Sequence, residues 1–142
     1  MILCFRSHEV HIPAVDSPKL CDLSFEHRSR YLYAYVSGQH DSYEISRQYW
    51  QEIADVLKTT DYKKVLIEED IMETGSVSDV FQLVSDLGGM GFAGIKIAFF
   101  DRHIAHSEHN DFGVLVGSNR GLNALAFNNF DKAEEWLLAD GV

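Results

Sequence analysis

The stretch Ile67–Asp79, IEEDIMETGSVSD, decides how this chain is read. Val65-Leu66-Ile67 opens it, a short aliphatic run of the kind that forms a central strand covered on both faces. Four acids follow, Glu68, Glu69, Asp70 and Glu73, and then Thr74, Gly75 and Ser76. Ser76 precedes Asp79 by three, the spacing at which a capping hydroxyl and an N3 acid satisfy each other's backbone donors. Val77, Val80, Phe81, Val84 and Leu87 then recur at three and four, the period of an amphipathic helix. The stretch therefore reads as a strand over 65–67, an acidic rim in solvent, and a helix that Ser76 caps and Gly88-Gly89 ends.

Working outward, Leu23 and Phe25 alternate with polar neighbours, and an aromatic run from Tyr31 to Val36 follows a charged turn at His27–Arg30. That is a hairpin. Asp41, three before Glu44, is the expected cap of a helix whose apolar face is Ile45, Tyr49, Trp50, Ile53, Ala54 and Leu57. Beyond the second helix come a strand over Ile95–Phe100, a helix within 103–121 ending at Gly121, and a strand over Ala124–Phe127. A last helix carries Ala133, Trp136 and Leu137, with Asp131 as its cap. Strands alternating with helices predict an α/β domain over 20–142, a mostly parallel mixed sheet of about five strands with about four helices. Residues 1–19 contain Pro13 and read as an irregular arm, with a short edge strand near Ile2–Phe5.

At 142 residues the chain has the length of one domain. A chain of this size buries roughly 70% of its unfolded surface and needs no staples. Its formal charge of −10 argues against nucleic acid, whose binding rests on neutralising phosphates with Lys and Arg. The same charge disfavours an anionic membrane surface, and no apolar run nears the ~20 residues of a membrane span. Cys4 and Cys21 make no disulfide framework, so a reducing cytoplasmic setting is expected.

The element order, with the turn after the third strand, resembles the STAS-domain family of anti-sigma-factor antagonists. More closely, it looks like the SpoIIAA-like, or STAS/SEC14-like, group. The resemblance rests on KKVLIEED before a helix, GIKIAFFD as the next strand, and the ending ALAFNNFDKAEEWL. It implies the STAS fold and a non-enzymatic regulatory or binding module. In the antagonists the helix after the third strand begins at Asp-Ser-Ser-Gly, whose second serine is phosphorylated. Here that motif falls on Met72-Glu73-Thr74-Gly75, so Thr74 stands at the serine and Gly75 at the glycine. Thr74, Gly75, Ser76 and Ser78 are accordingly the candidate site for phosphorylation, an anion or a partner. A helix start favours negative charge. The SEC14-like side of the resemblance implies a carrier of a small hydrophobic ligand, with Tyr33, Tyr35 or Phe99 lining its cavity.

Other constellations carry less. His103, His106 and His109 place three imidazoles at steps of three, the basis of a metal-dependent hydrolase reading. Such steps drift by ~60° each on a helix, however, and match no zinc signature, so polar loop histidines are expected. A divalent cation on the acid run would need Glu69 to converge with Glu68 and Asp70, which a strand points the other way. Gly89–Gly94 spells G-x-G-x-x-G but closes a helix and opens a strand, the reverse of a dinucleotide site. Gly117–Gly121 lacks the lysine of a phosphate loop. Tyr31, Tyr33, Tyr35, Tyr49 and Trp50 read as core, and Cys21 as a small apolar filler. No metal or cofactor is expected. The hairpin edge points to a homodimer.

Overall fold

The structure, a computed structural model, describes residues 20–140; the expected arm over 1–19, Cys4 and the strand near Ile2–Phe5 lie outside them. The elements run β1 Asp22–His27, β2 Leu32–His40, α1 Tyr43–Lys58, β3 Lys64–Glu73 and α2 Val77–Leu87, then β4 Lys96–Asp101, α3 Ser107–Asn119, β5 Asn123–Phe127 and α4 Phe130–Leu138. This is the expected order. The sheet runs β1-β2-β3-β4-β5, with β1 antiparallel to β2 and the other pairs parallel.

Each parallel strand is added on the same side of the previous one. Right-handed crossovers must then carry every connecting helix over the same face. So α1 and α2 pack with Leu32, Ala34, Val36, Val65, Ile67 and Ile97 in the main core. The last helix, α4, packs across the opposite face. There it forms a smaller core of Tyr31, Leu66, Ala98, Ala133 and Leu137. No helix among the described residues is long and apolar enough to cross a membrane.

Three local expectations are corrected. First, β3 does not stop at Ile67. It keeps its ladder to β2 as far as His40↔Glu73, so the acid run is itself strand. Second, Ser42 rather than Asp41 caps α1, its hydroxyl accepting from the Ile45 amide at 3.2 Å. Asn129 rather than Asp131 caps α4. In both cases the short polar residue just before the first helical residue wins, because only there does the side chain reach back to the N3 amide. Third, the inward stripe of α2 is Val80, Leu83, Val84 and Leu87, while Val77 and Phe81 lie exposed. The capping box of Ser76 and Asp79 is as expected. After α2 the chain makes a wide helical turn over Gly88–Phe92, and Gly91 and Gly94 take φ of 117° and 82°, where a side chain would be strained. That turn returns Met90 and Phe92 to the core.

Candidate functional site

A cleft opens between the α1–α2–α3 layer and the sheet, towards the carboxyl ends of the parallel strands. Open α/β sheets place their ligands at that end. Its geometry follows from where the helices touch. Helices α2 and α3 approach closely at two glycines: a Cβ on Gly113 would sit 3.2 Å from Val80 Cγ1, and one on Gly117 would sit 3.3 Å from Val84 Cγ1. Helix α1 is tied to α2 by the Tyr43 hydroxyl, which donates to Asp86 Oδ2 at 2.6 Å. Between these contacts a cavity of about 100 Å³ remains, walled by Trp50, Leu83, Val84, Ile97 and Phe99. Trp50 stacks on Phe99 at 6.1 Å and meets Phe92 edge-on at 5.2 Å.

The cleft is polar towards the carboxyl ends of the strands. Sheet register places Glu69 of β3 beside Asp101 of β4 on the cleft face. Glu69 is 5% exposed and Asp101 1% exposed. The Tyr49 hydroxyl donates to Glu69 Oε2 at 2.6 Å. Asp101 is held by the His103 amide at 2.8 Å, by Asn110 Nδ2 at 2.9 Å and by His106 Nδ1 at 3.1 Å. Asp41, half-buried at the rim, accepts from Ser46 Oγ at 2.7 Å and from the Ser42 amide at 2.8 Å. Burial pushes the Glu69 carboxyl well above its ordinary range, and the neighbouring Asp41 and Asp101 push it further. Burial likewise raises Asp41, against the hydrogen bonds from Ser46 and Ser42. No Lys or Arg lines the cleft among the described residues.

The opposite face handles its acids differently. There Tyr33 donates to Glu68 at 2.5 Å, and Tyr35 to Asp70 at 2.9 Å. Arg102 lies 3.5 Å from Glu68 and 3.4 Å from Asp70, and His103 Nε2 is 2.8 Å from Asp70. Desolvation alone would raise the Asp70 carboxyl, but the His103 and Tyr35 bonds and the Arg102 charge hold it below its usual value.

The sequence candidates separate accordingly. Thr74 and Gly75 line the mouth of the cleft. The Ser76 hydroxyl is engaged as the α2 cap, accepting from the Asp79 amide at 3.0 Å, and Ser78 is exposed. The three histidines do not converge. His103 turns to Asp70, His106 is buried against Asp101, and His109 lines the cleft. They are not the loosely exposed loop residues expected, because a short helical turn at Ile104–His106 folds the segment onto the strand ends. The acid run is a solvated rim only at Glu73, which is exposed: Glu69 is core, and the Glu68 side chain is only 13% exposed. Tyr33 and Tyr35 lie on the α4 face away from the cleft, and only Phe99 of the expected lining residues belongs to it. Glu69 and Asp101 were not legible as a pair. Among the described residues, Glu69, Asp101 and His106 bring one ligand atom each to within 4.8 Å of one another.

Neither a protein-family model nor a curated protein matches the sequence. Among solved structures, the chain is similar to an anti-sigma factor antagonist from Mycobacterium paratuberculosis, with a TM-score of 0.51 and 14% identity over 87% of this chain and 98% of that one. A SpoIIAA-like protein of the DUF3478 family from Shewanella loihica has a TM-score of 0.48 and 15% identity, over 82% of this chain and 93% of that one. The fold is the STAS, or SpoIIAA-like, α/β fold that the sequence resemblance implied.

Proposed function

We propose that the chain is a binding module, not an enzyme, that takes a small and largely apolar molecule into the cleft between α1, α2, α3 and the sheet. One observation carries this reading: the turn at Thr74-Gly75, the position that the resemblance marks as functional, forms the mouth of an apolar cavity rather than a solid surface. Apolar walls with a few polar groups at one end are the usual make-up of a small-ligand site. Methyl-detected NMR of the protein, titrated with benzene and with indole as probes, tests it. Saturable shifts confined to Leu83, Val84, Ile97 and Val80 are expected. Unchanged methyl spectra at millimolar probe would overturn the reading.

A second reading has its own observation. Met72, Val77 and Phe81 are 54%, 50% and 46% exposed around Ser76 and Ser78. Exposed apolar side chains beside phosphorylatable hydroxyls suit a protein partner released by added charge. The fold neighbour's description as an anti-sigma factor antagonist is in keeping with such a role. Mass spectrometry of native protein should find phosphate on Thr74, Ser76 or Ser78, and Thr74→Glu should alter partner recovery. Unmodified residues together with unaltered recovery would exclude this reading.

A further inference from the structure

We propose that Glu69, Asp101 and His106 form a site for one divalent transition-metal ion of the zinc, iron(II) or manganese class. The site lies beneath the polar end of the cleft and is independent of whether an apolar molecule binds above it.

The argument begins with the sheet. On the cleft face, β3 presents Val65, Ile67, Glu69 and Ile71, all buried, and β4 presents Ile97 and Asp101 at buried positions of the same face. Two carboxylates thus replace aliphatic residues at adjacent positions of a core. Burying like charges side by side is costly unless a proton or a counter-charge is supplied. The ionisable base bonded to Asp101 is His106, itself 6% exposed, and Asp41 adds a further acid at the rim.

Geometry then accommodates a shared ion. His106 Nδ1 and Asp101 Oδ2 are 3.1 Å apart. That lies within the ordinary N–H···O hydrogen-bond range of about 2.7–3.2 Å. It also matches the ~3.0–3.3 Å between two ligand atoms each held about 2.0–2.1 Å from one ion. Glu69 completes a triad that brings one ligand atom each to within 4.8 Å of one another, so the side chains must draw together by about 1–2 Å to share an ion. An imidazole with two carboxylates is a borderline donor set, suited to zinc, iron and manganese more than to soft copper(I).

The supporting shell is also in place. Asn110 and the His103 amide orient Asp101, and Tyr49 orients Glu69, the kind of outer contacts that fix metal ligands. Glu69 lines the cleft, which gives an ion a route in.

The test uses protein dialysed against chelator and then titrated with Co²⁺, Zn²⁺ and Mn²⁺ at pH 7.5. One equivalent of Co²⁺ should bind and give visible d–d absorption. His106→Gln and Asp101→Asn should each weaken Co²⁺ binding by at least tenfold, while His103→Gln and His109→Gln leave it within threefold. Should the first two variants fail to fold, ¹⁵N spectra of the wild-type imidazoles replace them. Zn²⁺ should then move the His106 ring nitrogens alone. No binding of any of the three ions at 1 mM would overturn the proposal, as would affinity unchanged in folded His106→Gln. So would Zn²⁺ shifts centred on His103 or His109. The benzene and indole titration reads the cleft separately, so either conclusion can fail without the other.

Discussion

Replacing Tyr49 by phenylalanine should reveal how dry the polar end of the cleft is. The Tyr49 hydroxyl donates to Glu69 Oε2 at 2.6 Å, with Tyr49 1% and Glu69 5% exposed. Deleting a donor from a buried pair leaves the acceptor unsatisfied, at a cost of about 1–3 kcal/mol. The cleft adjoins both residues, so a water can enter and take part of the hydroxyl's place, which brings the expected loss to about 2 kcal/mol. For a domain of this size that is a fall in Tm of roughly 6–10 °C. The measurement is thermal and urea unfolding followed by far-ultraviolet circular dichroism, with chelator present. Adding Glu69→Leu to Tyr49→Phe makes both partners apolar, a change that is often nearly neutral. The double variant should therefore be more stable than Tyr49→Phe alone. A Tyr49→Phe protein within about 0.5 kcal/mol of wild type would refute the reasoning, as would a Glu69→Leu cost that is the same in both backgrounds.

Further outcomes concern the frame around the cleft. Gly113→Ala and Gly117→Ala gain similar helix propensity, about 0.5–1 kcal/mol. All of the side chains these methyls meet border the cleft, but at Gly113 only Val80 Cγ1, at 3.2 Å, has to give, whereas at Gly117 the methyl is caught between Val84 Cγ1 at 3.3 Å and Leu122 Cδ1 at 3.4 Å. Urea unfolding should show Gly113→Ala neutral or stabilised and Gly117→Ala destabilised by about 1 kcal/mol. Ser76→Ala removes the cap of α2 and should cost about 1 kcal/mol by the same assay, with hydrogen exchange accelerated first at the Val77–Val80 amides. Tyr31 gives a pH-dependent case. Burial, then the bond to Glu134, pushes its phenol up to about 12, against the pull of Arg28. The folded state thus holds its proton more tightly than the unfolded chain does. This contribution does not vary with pH below about 10, and stability falls as pH rises from 10 towards 12. Absorbance titration at the tyrosinate band should lose a component near pH 12 in Tyr31→Phe.

Much of the frame was legible because its signals are local. Val65-Leu66-Ile67 reads as buried strand in any context, and Ser76 with Asp79 reads as a cap from spacing alone. The centre of the site was harder, since charge and period gave opposite answers there. Glu69 keeps step with Val65, Ile67 and Ile71, and that alternation was present in the sequence. The run of acids around it hid the phase and made solvent the natural reading. Asp101 could not be found from sequence at all, because what makes it matter is its position across from Glu69, which only strand register sets. The histidines misled for the opposite reason. Their even spacing suggested a joint role, but the tight turn at Ile104–His106 leaves the His103 and His106 rings 5.4 Å apart while each bonds a different carboxylate, Asp70 and Asp101.

The acids of β3 also explain why one face is expected to bind something while the other is not. A one-residue slip of this strand would exchange Glu69 for Glu68 and Asp70 in the main core, so pairing on both sides must hold the register firmly. Held as it is, the strand sends Glu68 and Asp70 to a face where Arg102, His103 and two tyrosine hydroxyls already meet them. Their charge is balanced within the chain. Glu69 goes to the face where Asp101 and Asp41 are its acidic neighbours and where His106 bonds Asp101. A buried excess of negative charge in a low-dielectric setting is relieved by a proton or by a cation from solution. The proton suffices for a folded domain at rest. The orienting bonds from Tyr49, Asn110 and the His103 amide go further than a proton requires, and it is that surplus of positioning which directs attention to an ion.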